Sequence, residues 1–341
     1  MKSIRHYNIP IFIPEMGCRF QCVFCNQNQI ASVNTSPEPA EVTQVIREYL
    51  ETISKNPGHT QVAFFGGSFT GLPINKQEEY LKIVKPYIQS GQVQSIRLST
   101  RPDFINTEIL DMLKYYHVSD IELGAQSLDD EVLRLSGRGH TGEDVINASA
   151  MIRSAGFSLG LQMMIGLPGD TFEKAIATAK KIVAAGAAHT RIYPALVIKD
   201  TRMERWFHQK KYFPLSMDEA IEWTASLLPL FEEANVKLLR VGLHPSEGLL
   251  SGTSLIAGPF HISFREMVYT RIWKKNIKSA LNFETTTINI TVGKNQLNYA
   301  IGYQSENKNW LMKQFDKVCY SIDPMLEARN FYINDIMYTA C

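Results

Sequence analysis

Short β-branched or aromatic runs alternate along the chain with longer segments whose apolar residues recur at helical spacing. This alternation is typical of βα units and not of a meander or a bundle. It predicts strands at Ile9–Ile13, Gln61–Phe65, Ser95–Leu98, Val118–Leu123, Ser158–Met164 and Arg191–Tyr193. It predicts helices near Ala40–Ser54, Lys76–Gln89, Thr107–Tyr116, Gly142–Ala155 and Thr171–Ala185. Parallel strands joined in this way form either an open doubly wound sheet or part of a barrel.

The residues after each predicted strand favour the barrel, because loops at the carboxyl ends of its parallel strands meet on one face. Glycine and polar residues collect there, as in Gly66–Thr70, Ser99–Asp103, Gly124–Ser127 and Gly166–Asp170. Any one of these loops could be ordinary turn chemistry. Their recurrence in step predicts an α/β fold, a partial (β/α)6 TIM-like barrel with a common site at one end.

Length and composition fit one such barrel with an addition. The chain has 341 residues, of which 45% are hydrophobic and 20% charged, an ordinary soluble composition. We expect a barrel over residues 1–240, a closing loop and helix over 241–281, and a small αβ appendage over 282–341. The runs Thr287–Val292 and Leu297–Ile301 indicate that appendage.

The formal net charge of +1 gives the whole chain no electrostatic attraction for nucleic acid. A local basic patch could still bind phosphates. Lys199–Lys211 interleaves basic and aromatic residues, which suits either an RNA strand or a solvated amphipathic segment, and Arg271–Lys278 is also basic. The apolar run Ile9–Ile13 is broken by Pro10 and too short for a signal or membrane segment, so we expect a cytoplasmic protein.

Three cysteines carry the strongest chemical signal. Cys18, Cys22 and Cys25 lie on one short loop, whereas Cys319 and Cys341 are far away. Three thiolates can hold three irons of a [4Fe–4S] cluster and leave the fourth iron open for reaction. A structural zinc site is the main alternative, but no second Cys or His pair follows at a workable distance. A disulfide frame does not fit so few cysteines, which implies a reducing compartment.

Four strand-end features offer groups for a ligand. The backbone at Gly66 and Gly67 can approach an ammonium group closely and accept its hydrogen bonds. Glu122 suits a ribose hydroxyl or a cation, and Gln126 both donates and accepts. Arg138, between two glycines, can reach a carboxylate in a forked geometry. The structural alternative for Glu122 and Gln126 is a hydrogen-bonded, capped strand end. For Arg138 it is an ordinary surface arginine.

Two nucleotide-binding motifs are excluded. Gly137–Gly142 formally matches a dinucleotide fingerprint, but the segment before it, Asp129–Leu135, is helical in pattern where the fingerprint requires a strand. No phosphate-binding loop ending in Gly-Lys-Ser or Gly-Lys-Thr occurs in the chain.

Together these motifs resemble the radical S-adenosylmethionine (SAM) superfamily, whose cysteine loop has the spacing Cys-x3-Cys-x2-Cys. Phe24 before the last cysteine fits that loop. The resemblance is closer to the radical domain of the Elongator complex catalytic subunit, from about Pro10 to about Val268. It is carried by the blocks Gly66–Pro73, Thr100–Asp103, Glu122–Ser127, Arg138–Thr141, Met164–Gly169 and Ile192–Ile198.

The resemblance implies the cofactors and the site. Cys18, Cys22 and Cys25 would bind a [4Fe–4S] cluster, and SAM would chelate its open iron and be cleaved to a 5′-deoxyadenosyl radical that abstracts hydrogen. A low-potential flavodoxin or ferredoxin would supply the electron. The implied cofactor contacts are Phe24, Gly66, Gly67, Ser68, Glu122, Gln126, Arg138 and Gln162. Tyr193 and Lys199 are the expected substrate contacts.

The resemblance leaves the substrate open. The Elongator subunit carries an acetyltransferase domain after its radical domain and a basic tRNA-binding region before the cluster. Here the first cluster cysteine is residue 18, and residues 282–341 are too few for an acetyltransferase. We therefore expect no acetyl transfer by this chain alone and keep tRNA as a candidate substrate. The alternative is a haem or cluster carrier on the same scaffold.

Overall fold

The structure is a computed structural model that describes residues 5–14, 20–26, 36–53, 58–281 and 285–339. Within these ranges, seven parallel strands form one sheet in the order β1-β2-β3-β4-β5-β6-β8 and curl into a partial barrel. The strand bounds are β1 His6–Ile13, β2 His59–Gly66, β3 Ser95–Thr100, β4 Val118–Gln126, β5 Ser158–Ile165, β6 His189–Pro194 and β8 Lys237–Val241.

Helices connect these strands and begin where short polar side chains cap them. Asn106 Oδ1 accepts from the backbone N–H of Ile109, and Thr141 with Asp144 forms a capping box. The helix bounds are α1 Pro39–Ile53, α2 Ile74–Gln89, α3 Thr107–Tyr115, α4 Asp130–Leu135, α5 Gly142–Ser154, α6 Phe172–Ala184, α7 Arg202–His208, α8 Met217–Glu233, α9 Glu247–Leu250, α10 Phe264–Ala280, α11 Leu297–Ile301 and α12 Glu306–Leu311.

The predicted fold class is confirmed. All six predicted strands lie in the sheet, in chain order, with neighbouring apolar positions in register, as in the pairing of Val62 with Ile96. Fully buried residues such as Leu98 and Leu161 fill the core between strands and helices. The seventh strand, β8, was not placed from the sequence, and it extends the sheet beyond β6.

Two smaller sheets complete the described chain. Strands β7 (Val197–Ile198) and β9 (Leu255–Ala257) pair antiparallel. Strands β10 (Thr287–Val292), β11 (Lys317–Ile322), β12 (Phe331–Ile333) and β13 (Ile336–Tyr338) form a mixed sheet in the order β11-β10-β12-β13. This sheet has its own core, in which Trp273 of α10 contacts Phe331 edge-on.

The predicted αβ appendage has a counterpart in this mixed sheet, where Thr287–Val292 is a strand and Leu297–Ile301 a helix. The predicted boundary between residues 240 and 241 falls inside β8, so the division into three parts stays a prediction. Among the described residues, no helix is long and apolar enough to cross a membrane.

A buried ion-pair network crosses the barrel interior. Arg97 on β3 donates to Asp120 and Glu122 on β4, at 3.0 and 3.1 Å. Arg191 on β6 donates to both carboxylate oxygens of Glu122, at 2.6 and 3.0 Å. Burial alone would raise the pKa of Glu122, but the hydrogen bonds and charge of Arg191, followed by the charge of Arg97, lower it. The carboxylate is therefore ionised, and it links three strands.

His189 lies beside this network in a neutral state. Its ring occupies space that a side chain at position 160 would fill, since a Cβ on Gly160 would come within 2.3 Å of His189 Nε2. Burial, with the charges of Arg97 and Arg191, lowers the pKa of His189 from 6.5 to about 4, although Glu122 and Asp120 oppose the shift. The protonated imidazole is thus disfavoured in the folded chain.

This shift predicts a loss of stability in mild acid. Because the folded pKa lies below the unfolded one, the contribution of His189 is complete above pH 6.5 and is lost as the pH falls towards about 4. Relative to His189→Gln, the wild-type free energy of unfolding should fall by about 1–3 kcal/mol over this window. Urea unfolding at several pH values measures it. His117→Gln, at an exposed histidine outside the network, is the control for the loss of a histidine; a parallel pH profile for His189→Gln would contradict the prediction.

Candidate active site

A cavity of about 770 Å³ lies where the carboxyl ends of the strands converge. All seven strands of the described sheet contribute to its lining. The strands of this sheet contribute Pro10, Phe12, Phe65, Gly66, Ser99, Gln126, Gln162, Met164, Arg191, Tyr193, Pro194 and Arg240. The rest of the lining comes from the cysteine loop, from residues 196 and 198, and from the segment after β8 up to the first residue of α9: Phe24, Cys25, Leu196, Ile198, Leu243, His244, Pro245, Ser246 and Glu247. Its volume is in the usual range for a small-molecule site.

The cysteine loop forms one side of this cavity. Cys25 lines the cavity, Cys22 is buried beside it, and a backbone hydrogen bond of 3.2 Å joins the N–H of Cys25 to the carbonyl of Cys22. The loop is fixed on both flanks through Val23, whose N–H donates to Ser136 and whose carbonyl accepts from Met203. The third predicted ligand, Cys18, lies outside the described residues.

Gly66 brings bare backbone to the cavity. Its φ is +110°, and a Cβ there would lie 2.2 Å from the carbonyl oxygen of Ile13, so no other residue fits. The next N–H, of Gly67, donates to that same oxygen at 2.6 Å. Gly67 and Ser68 do not themselves line the cavity, and Ser68 is buried. Of the predicted glycine block, Gly66 is therefore the residue in position to meet a ligand.

Three polar atoms of cavity-lining residues are buried and have no hydrogen-bond partner. They are Ser99 Oγ, Gln126 Oε1 and Ser246 Oγ. Gln126 also adopts a φ of +66°, where the pairing of β4 with β5 shifts register. Buried polar groups without partners are costly, and a left-handed backbone at a glutamine is strained. Both features indicate that a ligand supplies the missing hydrogen bonds.

Glu122 does not line the cavity, although Gln162 and Arg191 do. Its oxygens accept from Arg97 and Arg191, and one of them also accepts from Gln162 Nε2 at 3.3 Å. This carboxylate positions two side chains that do reach the cavity, and the predicted contact between Glu122 and ribose stays a prediction. Arg191 also stacks over Phe65, with 5.4 Å between its guanidinium carbon and the ring centre.

Arg138 also lies outside the cavity lining. We expected it to receive a carboxylate of the cofactor, but its Nη1 lies 3.1 Å from Cys22 Sγ, and its Nη2 donates to the carbonyl of Gly124. The carbonyl of Arg138 accepts from Arg101 Nη2 at 2.5 Å, and Arg101 stacks on Phe20. The structure thus places this buried cation on a cysteine of the predicted cluster loop.

Of the two predicted substrate contacts, only Tyr193 lines the cavity. Burial raises the pKa of Tyr193, so its phenol is neutral and can donate a hydrogen bond. Lys199 does not line the cavity. Its backbone N–H donates to Ser254, and its carbonyl accepts from Asn26 at 3.2 Å, next to the cysteine loop.

The cavity lining also contains residues that were not predicted from the sequence, namely Arg191, Arg240 and the segment Leu243–Glu247. Arg191 had a detectable signal, because a charged residue inside a buried strand requires a partner. Arg240 lies on β8, whose lysine and arginine interrupt the apolar run, so the strand and its cavity-facing residue were overlooked together.

The described residues fit an iron–sulfur cluster with a bound small molecule. No group of three His, Cys, Asp or Glu side chains forms a metal site in the described ranges, which contain two of the three loop cysteines. Two cysteines can ligate iron, and the Arg138 guanidinium can hydrogen-bond the sulfur of Cys22. The partnerless polar atoms of the cavity can hydrogen-bond a small molecule beside the cluster.

Two family models match the chain and cover most of the barrel. The radical SAM superfamily model matches residues 13–182, and the radical SAM C-terminal domain model matches residues 187–274. The chain therefore belongs to the radical SAM superfamily, a superfamily of enzymes.

Relatives narrow the resemblance to Elongator-like proteins. The chain is 27% identical to uncharacterized protein MJ0486 of Methanocaldococcus jannaschii, over 65% of this chain and 71% of that protein. It is 24% identical to the tRNA uridine(34) acetyltransferase of Methanocaldococcus infernus, over 71% of this chain and 48% of that protein. The chain thus spans about half the length of that acetyltransferase.

A solved structure shares the fold. The archaeal Elp3 of Methanocaldococcus infernus with an N-terminal deletion superposes with a TM-score of 0.64 at 22% identity. The match covers 80% of this chain and 64% of that one. It confirms the curled parallel sheet.

The contact between Arg138 and Cys22 predicts an effect on the cluster. A cation that donates to a ligating sulfur stabilises the more negative, reduced cluster, so Arg138→Gln should shift the midpoint potential to more negative values. A redox titration followed by electron paramagnetic resonance measures the shift in the anaerobically reconstituted protein. Arg134→Gln, on the exposed face of α4, is the control. An unchanged potential at full iron content in Arg138→Gln would contradict this role.

Proposed function

We propose that this chain binds one [4Fe–4S] cluster through Cys18, Cys22 and Cys25 and cleaves SAM within the 770 Å³ cavity to abstract hydrogen from a substrate. The observation that carries the proposal is the position of Cys25 in the same lining as Gly66 and the partnerless Ser99 and Gln126. A thiolate, open backbone and unused polar groups face one space. Superfamily membership supports the same cofactors.

In this proposal, each part of the lining has a distinct task. Gly66 lets a ligand lie against the backbone, while Ser99 and Gln126 supply a donor and an acceptor that orient its polar groups. Phe12, Phe24 and Phe65 cover the cavity with apolar surface and keep water from the reacting atoms. Cys18, Cys22 and Cys25 would hold the cluster beside this lining, where it would supply the electron for reductive cleavage of SAM to methionine and a 5′-deoxyadenosyl radical.

The cysteines provide the direct test. Anaerobically reconstituted protein with dithionite and SAM should release 5′-deoxyadenosine, measured by liquid chromatography. Cys22→Ala and Cys25→Ala should lose the cluster and at least 100-fold of this release, on the order of what loss of an essential group costs. Cys319→Ala, on β11 and away from the cavity, should retain both iron and release.

Three results would contradict the proposal. The first is an intact wild-type cluster that produces no 5′-deoxyadenosine. The second is stoichiometric haem binding without SAM cleavage, which would favour the carrier alternative. The third is zinc in place of iron and sulfide, which would indicate a structural metal site.

For the substrate, we propose a tRNA. One support is the similarity to the archaeal tRNA uridine(34) acetyltransferase. The other is a set of four exposed cations on and after α7, a helix that is hydrogen-bonded to the cysteine loop through Met203. We call these cations the basic row; they are Arg202, Arg205, Lys210 and Lys211. Trp206 and Phe207 between them pack partly into a core with Val23, so the row would contact phosphates without a stacking platform.

The other basic segment, on α10, is a weaker candidate. Arg271 pairs with Asp218 and Glu222, and Lys275 pairs with the same glutamate. Lys274 pairs with Glu306. These carboxylates neutralise the cations, so α10 offers little net charge to a phosphate backbone.

The basic row can be tested by charge removal. If tRNA is the substrate, unmodified tRNA should accelerate 5′-deoxyadenosine release, and changing all four basic-row residues to Gln should abolish this acceleration while basal release persists. The salt dependence of tRNA binding should also weaken, because fewer counterions are released. The double variant Lys274→Gln, Lys275→Gln is the matched control. Equal acceleration in both variants would exclude the basic row as the RNA contact.

A further inference from the structure

The cavity extends to the edge strand β8, and its lining at this end is chemically distinct. Leu196, Ile198 and Leu243 give it an apolar wall, and Arg240 and Ser246 give it polar groups. The Oγ atom of Ser246 is buried and has no hydrogen-bond partner. This end therefore combines an apolar surface with a cation and an unused hydroxyl. Such a combination is not typical of a turn or of a hydrophobic core.

Arg240 is the cation of this end. Strand register pairs it with Arg191 of β6, and both side chains line the cavity. Like charges that face each other on neighbouring strands are unfavourable unless each is neutralised. Arg191 is neutralised by Glu122, whereas Arg240 makes no ion pair with a carboxylate of the described chain. Glu247, also in the lining, is exposed and forms no ion pair with it.

The charges of the neighbouring ion-pair network are balanced. Arg97 and Arg191 face Asp120 and Glu122, and His189 is neutral. Arg240 is therefore the surplus positive charge of this end, half-buried and partly desolvated. A cation that has lost part of its hydration without gaining a counterion favours an anion in the adjacent space.

The guanidinium is held in place for such an anion. Its Nε and Nη2 donate to the carbonyls of Gly242 and Leu243, at 3.0 and 3.1 Å. An arginine carries five N–H donors, so the remaining ones have no partner in the described chain. A fixed guanidinium with unused donors binds carboxylate or phosphate oxygens with a preset geometry.

We propose that Arg240, with Ser246, binds the carboxylate or phosphate group of a small second substrate, used in addition to the tRNA, whose apolar body packs on Leu196, Ile198 and Leu243. This inference rests on the proposed function, since it assigns the substrate end of the same cavity. A small molecule is favoured over an RNA phosphate because Arg240 is half-buried inside the cavity, while the basic row lies on the exposed surface.

Binding of simple probes tests the proposal without the cluster or catalysis. The probes are phenyl phosphate, benzoate and inorganic phosphate, and saturation-transfer and phosphorus NMR measure their affinities for the full chain. Phenyl phosphate or benzoate should bind saturably and more tightly than inorganic phosphate, because the apolar wall contributes. Arg240→Gln should weaken binding by about tenfold or more, and Arg240→Lys by less. Arg47→Gln, an exposed arginine on α1, is the control.

Four results would overturn the proposal. They are absence of saturable binding by both aromatic probes, equal affinity in Arg240→Gln with an unchanged fold by circular dichroism, displacement of phenyl phosphate by S-adenosylhomocysteine, and its displacement by an RNA stem-loop. The third would place the cofactor at Arg240, and the fourth would place an RNA phosphate there. Failure of SAM cleavage leaves these affinities measurable, so the two proposals fail separately.

Discussion

The buried carboxylate of Glu122 is the interaction on which the candidate site depends. It accepts from Arg97 on one side and Arg191 on the other, and so connects β3, β4 and β6 through the barrel interior. Removing one partner of a buried ion pair leaves an uncompensated charge and costs about 3–5 kcal/mol. The pair also fixes Arg191 and Gln162 at the cavity. Fold stability and the shape of the site therefore rest on the same atoms.

This arrangement divides the barrel interior into two levels. The ion-pair network and the neutral His189 lie below the cavity. Within this network, each arginine and each carboxylate has a partner of opposite charge. Above it lies the cavity, where Ser99, Gln126 and Ser246 each carry a buried polar atom without a partner. A ligand that enters meets a preorganised surface whose unsatisfied groups favour its polar atoms over water.

Local signals in the sequence were enough for the fold and for one side of the site. Strand periodicity, helix caps and the cysteine spacing are all short-range, and they predicted the six strands and the cysteine loop. Nonlocal partners were out of reach. The ion pairs of Glu122 were not predicted, because Arg97 and Arg191 lie on strands that only the sheet brings together. Arg240 was missed with β8, whose charged residues hide its apolar pattern.

We propose that the cysteine loop carries a [4Fe–4S] cluster with one iron open to SAM. Electron paramagnetic resonance of the reconstituted, reduced protein tests it most directly. Addition of SAM should change the g values of the reduced [4Fe–4S] signal, because a new ligand binds the open iron. A signal that is identical with and without SAM, or a protein that holds zinc and no acid-labile sulfide, would contradict it.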